Sequence, residues 1–203
     1  ALTNGVKVHV NTQVTALNQV KGAYKVSTNQ GTFHADIVVN SAGLYADKIS
    51  AMAGVDKYKL YPCRGEYLIL DKNCRDLINS MVYPVPPKIA GVLGVHLTPT
   101  LDGNILIGPS EEFINQREDT RTTKEKIHQL VEGAKSLLPS IPLDQVIYGF
   151  SVVRSKITPP EEKGSRDFII QEDAENFINM IGMESPGLTA SPAIAKLVVQ
   201  IIS

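Results

Sequence analysis

The chain has 203 residues, of which 43% are hydrophobic and 20% are charged, and its formal net charge is −1. This composition is typical of a globular protein with a hydrophobic core. The balanced charge, without any run of basic residues, argues against nucleic-acid binding. No apolar stretch approaches the roughly 20 residues that a membrane-spanning helix needs. Cys63 and Cys74 fit neither a CxxC pair nor a zinc site, which indicates reduced thiols. We therefore expect a cytoplasmic protein, and a peripheral membrane position stays open for the intact molecule.

The first forty residues predict a meander of short antiparallel strands. Apolar and polar residues alternate over 6–10 and again over 24–28. The turn residues 29–31 then lead into a third short segment, 32–34.

A different pattern follows in the next fifteen residues. Residues 37–40 begin with consecutive apolar side chains, which is typical of a strand covered on both faces in a parallel sheet. The small residues 41–43 come next, and then a helical segment over 45–53. A strand, a small-residue turn and a helix bring backbone close to a ligand.

The middle of the chain predicts a mixed sheet with one helix on its face. The strand candidates are residues 66–70, 95–98, 104–108 and 146–153. The helix carries apolar residues at i, i+3, i+4 and i+7 from Ile127 to Leu138. Thr122 or Thr123 is its predicted N-cap, and Pro139 stops it.

The last forty residues return to strands and a helix. Residues 168–170 and 177–181 read as two strands separated by the acidic turn 172–175. A glycine-bracketed loop over 182–189 follows. Ser191 is the predicted cap of the final helix, and Pro192 is its predicted first residue.

Three segments together resemble one family. Asp36-Ile37-Val38-Val39-Asn40-Ser41-Ala42-Gly43-Leu44-Tyr45-Ala46-Asp47 is similar to the D-x-V-V-N-A-A-G-x-W/Y-A-D segment of the D-amino-acid-oxidase-like (DAO) flavoproteins. Residues 182–192 resemble the closing segment of that superfamily, and residues 96–109 resemble a strand pair of its substrate domain. The motifs G-V-H-x-T and S-P-G-L-T-A-S-P-A resemble those of one branch of the superfamily, which contains L-2-hydroxyglutarate oxidase and anaerobic glycerol-3-phosphate dehydrogenase.

The resemblance implies a mixed α/β (α+β) fold in two parts. Residues 1–54 and 160–203 would form part of an FAD-binding domain of the glutathione-reductase-like type. Residues 55–159 would form the substrate-binding domain, with a mixed sheet and a flanking helix. The cofactor would be FAD. The family's GxGxxG segment, which holds the pyrophosphate, does not occur in the chain. We therefore expect a fragment that lacks roughly the first third of its parent protein and that by itself binds FAD poorly or not at all.

The resemblance also implies the site residues. Arg154 matches the position of the family's substrate-binding arginine, although V-V-R stands here where G-V-R is usual. Arginine suits this role because its guanidinium pairs bidentately with carboxylate or phosphate. Lys156 on the same strand face would add a second positive charge, and Arg64 and Tyr67 would contact substrate. His96, at the G-V-H position, is the candidate catalytic proton acceptor, since an ordinary histidine pKa of about 6.5 suits a general base.

The cofactor contacts implied by the resemblance lie in the two loops. Ala42 and Gly43 would let the backbone approach the flavin. Gly187, Leu188 and Thr189 would direct backbone N–H groups at its pyrimidine edge, where a helix N-terminus stabilises negative charge.

The sequence therefore predicts part of an FAD-dependent oxidoreductase that acts on the CH–OH group of a small anionic substrate. It does not separate glycerol 3-phosphate from an L-2-hydroxy acid, nor does it identify the electron acceptor. A non-catalytic ligand-binding or interaction module derived from such a flavoprotein is the alternative. No clustered His, Cys and carboxylate set predicts a metal, and Ser185 lacks the G-x-S-x-G context of a serine hydrolase.

Overall fold

A computed structural model describes residues 2–85, 94–162 and 164–203. The chain divides into two compact units, which we treat separately. The first comprises Ala1–Lys59 and Phe168–Ser203, and the second comprises Leu60–Asp167. Among the described residues, no helix combines the length and the apolar character that crossing a bilayer requires.

The first unit contains the predicted meander. Strands β1 (Val14–Val20), β2 (Ala23–Thr28) and β3 (Gly31–Ala35) pair antiparallel in that order. Its inward side chains, Leu17 and Tyr24, pack on Phe177. This confirms the prediction for residues 24–34.

The strand predicted over residues 6–10 was wrong, because the described structure there is irregular. Val6, Val8 and Val10 are 50%, 61% and 74% exposed. Alternation favours a strand only where one face becomes buried. These valines reach no core, so their alternating pattern has no energetic consequence.

A second sheet in this unit contains the segment before the small-residue turn. Strand β4 (Val38–Asn40) pairs parallel with β11 (Phe177–Ile181), and β11 pairs antiparallel with β10 (Ile169–Ala174). The parallel strand is therefore confirmed, although Val39 is 39% exposed rather than covered. Helix α1 (Ala46–Met52) follows β4. The acidic residues 172 and 173 belong to β10, and the reversal comes later, at Asn176, whose φ is 59°.

The final helix, α3 (Gly187–Ile202), begins earlier than its sequence predicts. Pro186 is the N-cap, and Ser191 and Pro192 lie inside the helix, so their predicted capping roles were wrong. The first four N–H groups of a helix have no intrahelical acceptor, but Pro192 lies beyond them. At its sixth helical position Pro192 removes only one backbone hydrogen bond, and the helix continues through it.

The second unit is a five-stranded sheet with one helix. Its central strand β5 (Tyr61–Leu70) pairs along one edge with β9 (Val146–Lys156). Along the other edge it pairs with β7 (Ile105–Gly108) and β8 (Glu112–Phe113), and β6 (His96–Pro99) pairs with β7. All these pairings are antiparallel. The mixed α/β class is confirmed. The sheet of the second unit was predicted to be mixed, but it is antiparallel. The sheet with both parallel and antiparallel pairs is the one in the first unit that contains β4.

Helix α2 (Lys124–Leu137) forms as predicted. Thr123 is the N-cap and its Oγ1 accepts a hydrogen bond from the Lys126 N–H. Leu130 and Ala134 on its inner face are fully buried against Leu68 and Leu70 of β5. The helix therefore covers one face of the sheet and leaves the other face without a helix.

Candidate active site

The register of β5 and β9 decides which side chains share a face of the second unit's sheet. Cys63 pairs with Arg154, and Arg64 pairs with Val153. Paired residues share a face and successive residues alternate. Arg64 therefore lies with Leu68 on the face that packs on α2. Arg154 lies on the opposite face, which we call the open face.

Tyr67 lies on the open face and is held between neighbouring strands. It pairs with Phe150, and the two rings stack with centroids 5.1 Å apart and planes 8° apart. On its other side a Cβ at Gly108 would approach the Tyr67 Cδ1 to 2.6 Å, so only glycine fits there. Burial raises the pKa of the Tyr67 hydroxyl, and the positive charge of Arg154 partly opposes that rise. The ring is therefore neutral and fixed, with the Arg154 charge nearby.

Arg154 is half-buried and makes only weak contacts. Its Nη2 donates to the carbonyl oxygen of Ser110 at 3.3 Å and to the Cys63 Sγ at 3.6 Å. Its Nε is buried and has no hydrogen-bond partner among the described residues. No ion pair joins Arg154 to a carboxylate in the part of the chain that the structure describes. A partly exposed guanidinium without a carboxylate partner is suited to binding an anion.

Lys156 lies two residues further along the same face and is 7% exposed. Its Nζ is 3.4 Å from Oε1 of Glu111, and the same oxygen accepts a hydrogen bond from the Cys63 thiol at 3.6 Å. Burial raises the pKa of Cys63 more than the nearby Arg154 lowers it, so the thiol stays protonated. Two cations and one carboxylate thus meet in this corner, which leaves it net positive.

His96 also lies on the open face but not beside Arg154. It pairs with Gly108, and its Nδ1 is 3.2 Å from the carbonyl oxygen of Gly94. The strand order β6-β7-β5, with β9 on the far edge of β5, places His96 three strands from Arg154. At about 4.8 Å per strand this is roughly 14 Å across the sheet. The structure therefore brings Tyr67, Arg154 and Lys156 together and leaves His96 apart.

Arg64 is the centre of a buried ion-pair cluster on the α2 face. It is 4% exposed, and its guanidinium contacts Glu112 at 2.5 Å, Asp119 at 3.0 Å and Glu66 at 3.5 Å. Burial disfavours its charge, but these three carboxylates raise the pKa of Arg64 overall. Three carboxylates thus surround the guanidinium of this predicted substrate contact.

Sequence reasoning missed Glu66, which connects the cluster to α2. The Glu66 carboxylate is 1% exposed and accepts from the Thr123 N–H at 2.7 Å and from the Thr123 hydroxyl at 3.0 Å. A glutamate directly before the apolar end of a strand, two residues after Arg64, was the available signal. Glu111 was missed as well, and nothing in its local sequence points to its contact with Lys156.

The loop after β4 lies in the first unit and has an open backbone. The Ala42 N–H donates to Oδ1 of Asn40 at 3.3 Å, and Gly43 has a φ of 54°. A Cβ at Gly43 would meet nothing within 4 Å, so space lies next to this backbone. Two cavities, of about 540 and 710 Å³, are both lined by Val39 and Ser41. Of the cofactor residues predicted here, Ala42 is exposed and lines the larger cavity, and Gly43 is partly exposed.

The second predicted cofactor segment is the first turn of α3. The Gly187 N–H donates to the Glu184 carbonyl at 2.6 Å. The N–H groups of Leu188 and Thr189 have no backbone acceptor within the described ranges, and Leu188 is 90% exposed. Gly187 and Leu188 line the cavity of about 540 Å³. The early start of α3 thus makes these residues the positive end of the helix.

These features are those of one class of protein. The family model described as FAD dependent oxidoreductase (DAO) matches residues 1–201. The chain belongs to this family, as its sequence predicted.

Particular relatives narrow the comparison. The chain is 37% identical over its whole length to a glycerol 3-phosphate dehydrogenase of Caloramator mitchellensis, of which it covers 41%. It is 35% identical to a glycerol 3-phosphate oxidase of Mycoplasma pneumoniae, covering all of this chain and 53% of that protein. An L-2-hydroxyglutarate dehydrogenase of Indibacter alkaliphilus is 26% identical over 96% of the chain, which covers 57% of it. The chain therefore spans about half the length of the curated relatives it matches.

A solved structure is similar to this chain over nearly its whole length. The dithionite-reduced L-α-glycerophosphate oxidase from Mycoplasma pneumoniae with FAD bound superposes with a TM-score of 0.86 at 32% identity. The superposition covers 98% of this chain and 52% of that one. This likeness supports the predicted fold and the FAD-dependent family.

Proposed function

We propose that the complete protein oxidises the CH–OH group of a small anionic substrate with FAD, and that this substrate is glycerol 3-phosphate. The observation that carries the proposal is the position of Arg154 and Lys156 two residues apart on the open face of β9, where the partly exposed Arg154 makes no ion pair with a carboxylate among the described residues. The two relatives with the highest identities quoted above, which act on glycerol 3-phosphate by name, support this substrate over an L-2-hydroxy acid.

In this proposal Arg154 binds the anionic end of the substrate. Its planar guanidinium can match two oxygens of a phosphate or carboxylate. Lys156 adds a second positive charge, which favours a phosphate dianion over a single carboxylate. The Glu111 carboxylate keeps the Lys156 ammonium in place, 3.4 Å away. The stacked Tyr67 ring forms an apolar wall beside the substrate carbons.

His96 is the proposed proton acceptor for the substrate hydroxyl. A general base has to lie within about 3 Å of the proton that it removes, directly or through one water. A three-carbon substrate is shorter than the separation of β6 from β9, so this role requires the side chains of His96 and Arg154 to reach towards each other over β7 and β5. Arg64 remains a predicted substrate contact, supported by the resemblance.

The residues proposed to hold FAD fit its chemistry. Ala42 is exposed and lines a cavity, Gly43 has open space beside its backbone, and the N–H groups of Leu188 and Thr189 can donate to a polar ring edge. Bound FAD would supply the acceptor for the hydride that leaves the substrate carbon. The contribution of this chain is to hold the ring, orient the substrate and take up the hydroxyl proton.

The test uses the complete protein. Its visible spectrum is recorded, and glycerol 3-phosphate or L-2-hydroxyglutarate is then added without oxygen. We expect a flavin spectrum that bleaches with glycerol 3-phosphate. If only L-2-hydroxyglutarate bleaches the flavin, the substrate is an L-2-hydroxy acid and the proposal of glycerol 3-phosphate is wrong. A protein that stays colourless with added FAD would overturn the flavoprotein proposal in favour of a binding module.

A further inference from the structure

A chain of buried hydrogen bonds joins Asp173 in β10 to the loop after β4. The Asn179 Nδ2 donates to Oδ2 of Asp173 at 2.7 Å, and its Oδ1 accepts from Nδ2 of Asn40 at 2.8 Å. The Asn40 Oδ1 accepts from the Ala42 N–H at 3.3 Å. Asn179 is fully buried and Asn40 is 2% exposed. We call Asp173, Asn179 and Asn40 the amide relay.

The relay has a direction because a carboxylate only accepts hydrogen bonds. Asp173 therefore requires the nitrogen of the Asn179 amide to face it, which turns the Asn179 oxygen towards Asn40. Asn40 must in turn present its nitrogen to Asn179, and its oxygen then faces the Ala42 N–H. Reversing either amide would place two acceptors or two donors against each other in a buried site, which is costly.

Neighbouring groups keep the Asp173 carboxylate ionised and fixed. Its side chain is 1% exposed, and Lys57 Nζ lies 2.7 Å from Oδ1. Gln171 Nε2 donates to the same oxygen at 2.6 Å, and the Tyr58 hydroxyl donates to Oδ2 at 2.7 Å. With Asn179, three side-chain groups donate hydrogen bonds to the carboxylate in addition to the Lys57 ion pair. Such a group has one defined orientation and one defined charge.

Two further bonds fix the middle of the relay. The Asn179 Nδ2 also donates to Ser50 Oγ at 3.0 Å, and Ser50 donates to the Val55 carbonyl at 2.7 Å. The Asn40 Nδ2 also donates to the Ala46 carbonyl at 2.7 Å. Both ends of α1 are thus tied to the same orientation of the two amides.

We propose that Asp173 is a positioning residue that, through the amide orientations of Asn179 and Asn40, sets the shape of the loop Ser41–Gly43 and thereby the affinity for FAD. This inference rests on the proposed function, in which Ala42 and Gly43 contact the cofactor. Asp173 itself touches neither substrate nor cofactor in this proposal. It acts at the far end of the relay, in a different strand from the loop.

The test compares three variants of the complete protein. Asp173→Asn keeps the size of the side chain, but its amide nitrogen then faces donors that it cannot accept from, so the Asp173 end of the relay no longer holds the Asn179 amide. We expect FAD binding to weaken about ten- to thirtyfold, which is the effect of about one misdirected buried hydrogen bond. Lys57→Gln removes a half-exposed charge but keeps the acceptor, and we expect less than about threefold. Asp36→Asn makes the same chemical change at an exposed position and should have no effect.

Hydrogen exchange provides a readout that does not depend on FAD. Peptides that cover residues 41–45 should exchange faster in Asp173→Asn, while peptides over the β1–β2 hairpin stay as in the wild type. Equal exchange at residues 41–45 in wild type and Asp173→Asn would overturn the relay. An equally large loss of FAD affinity in Lys57→Gln would also overturn the proposal. The Lys57–Asp173 ion pair would then determine the affinity, and the orientation of the amide groups would not. If the wild type binds no FAD, the proposed function fails, while the exchange result still tests the relay.

If Asp173→Asn does not fold, the wild type provides the test. In a protein labelled with ¹⁵N at asparagine, the side-chain amide hydrogens of Asn179 should exchange slowly and show NOEs to the Ser50 side chain. NOEs that place these hydrogens against Asn40 would show the inverted amide and overturn the proposal.

Discussion

Arg64 and Arg154 lie on opposite faces of the same strand pair, since Arg64 pairs with Val153 and Arg154 pairs with Cys63. Arg64 is surrounded by three carboxylates, whereas none pairs with Arg154 among the described residues. The two arginines therefore have different consequences when they are replaced. We expect the loss of Arg64 to affect mainly the fold, and the loss of Arg154 to affect mainly the binding of an anion.

Replacing Arg154 should affect the substrate rather than the fold. In the complete enzyme we expect Arg154→Leu to raise the KM for glycerol 3-phosphate about ten- to hundredfold, because a charge-assisted hydrogen bond contributes about 1.5–3 kcal/mol. Arg154→Lys should fall between wild type and Arg154→Leu, since an ammonium lacks the planar fork. Steady-state kinetics measures this. Arg75→Leu, at an exposed arginine whose side chain is 70% accessible, is the control. An unchanged KM in Arg154→Leu would remove this residue from the substrate site.

Glu66→Ala should strongly destabilise the second unit. It removes the carboxylate that accepts hydrogen bonds from the Thr123 N–H and hydroxyl at the start of α2. It also leaves the positive charge of the buried Arg64 with one carboxylate fewer. Removing one partner of a buried ion pair costs about 3–5 kcal/mol. Urea unfolding measures the change in the free energy of unfolding. Glu132→Ala, which breaks an exposed pair with Lys135, should cost less than about 1 kcal/mol. A similar loss for both variants would contradict a structural role for the Arg64 cluster.

Gly108→Ala should displace Tyr67. The added Cβ would lie 2.6 Å from Tyr67 Cδ1 and 2.8 Å from the Glu66 carbonyl oxygen, at a φ of 150°. Because a backbone oxygen cannot move aside easily, we expect a loss of about 1–3 kcal/mol in thermal unfolding. Gly149→Ala is the matched control, since its Cβ would meet Leu68 Cδ2 at an ordinary 3.4 Å. An equal melting temperature for Gly108→Ala and wild type would show that the ring can move away.

The Asp173 carboxylate should make the free energy of unfolding depend on pH in the acid range. Burial opposes its ionisation, but hydrogen bonds from Lys57, Gln171, Asn179 and Tyr58 lower its pKa from 3.8 to about 2. The folded state therefore releases this proton more readily than the unfolded state. Its stabilisation is fully present above about pH 4 and is lost as the pH falls through about 2. By linkage this amounts to about 2 kcal/mol.

Urea unfolding of wild type and Asp173→Asn between pH 6 and pH 2 measures this contribution. Other carboxylates with lowered pKa values, such as Asp119 beside Arg121, titrate in both proteins and cancel in the comparison. We expect the difference between the two proteins to shrink as the pH falls from about 4 to about 2. A constant difference over the whole range would show that the Asp173 carboxylate is not specifically stabilised in the folded state.

The sequence by itself determined the elements whose signals are local. Helix α2 has its cap at Thr123 and its stop at Pro139 because capping and proline geometry depend on a few neighbouring residues. The parallel strand β4 could be predicted because consecutive apolar residues are typical of that environment. Three segments taken together, one of them around Asn40 and Gly43, were sufficient to predict the family.

Only the tertiary structure decided which side chains meet. A strand shows which residues alternate, but the pairing register determines which face is buried, and the register depends on residues far away in sequence. This is why Arg64 and Arg154 could not be told apart beforehand. Asp173 and Asn40 are joined through Asn179 across more than a hundred residues of sequence. The valines of residues 6–10 show the converse, since a pattern without a partner surface gains no burial and forms no strand.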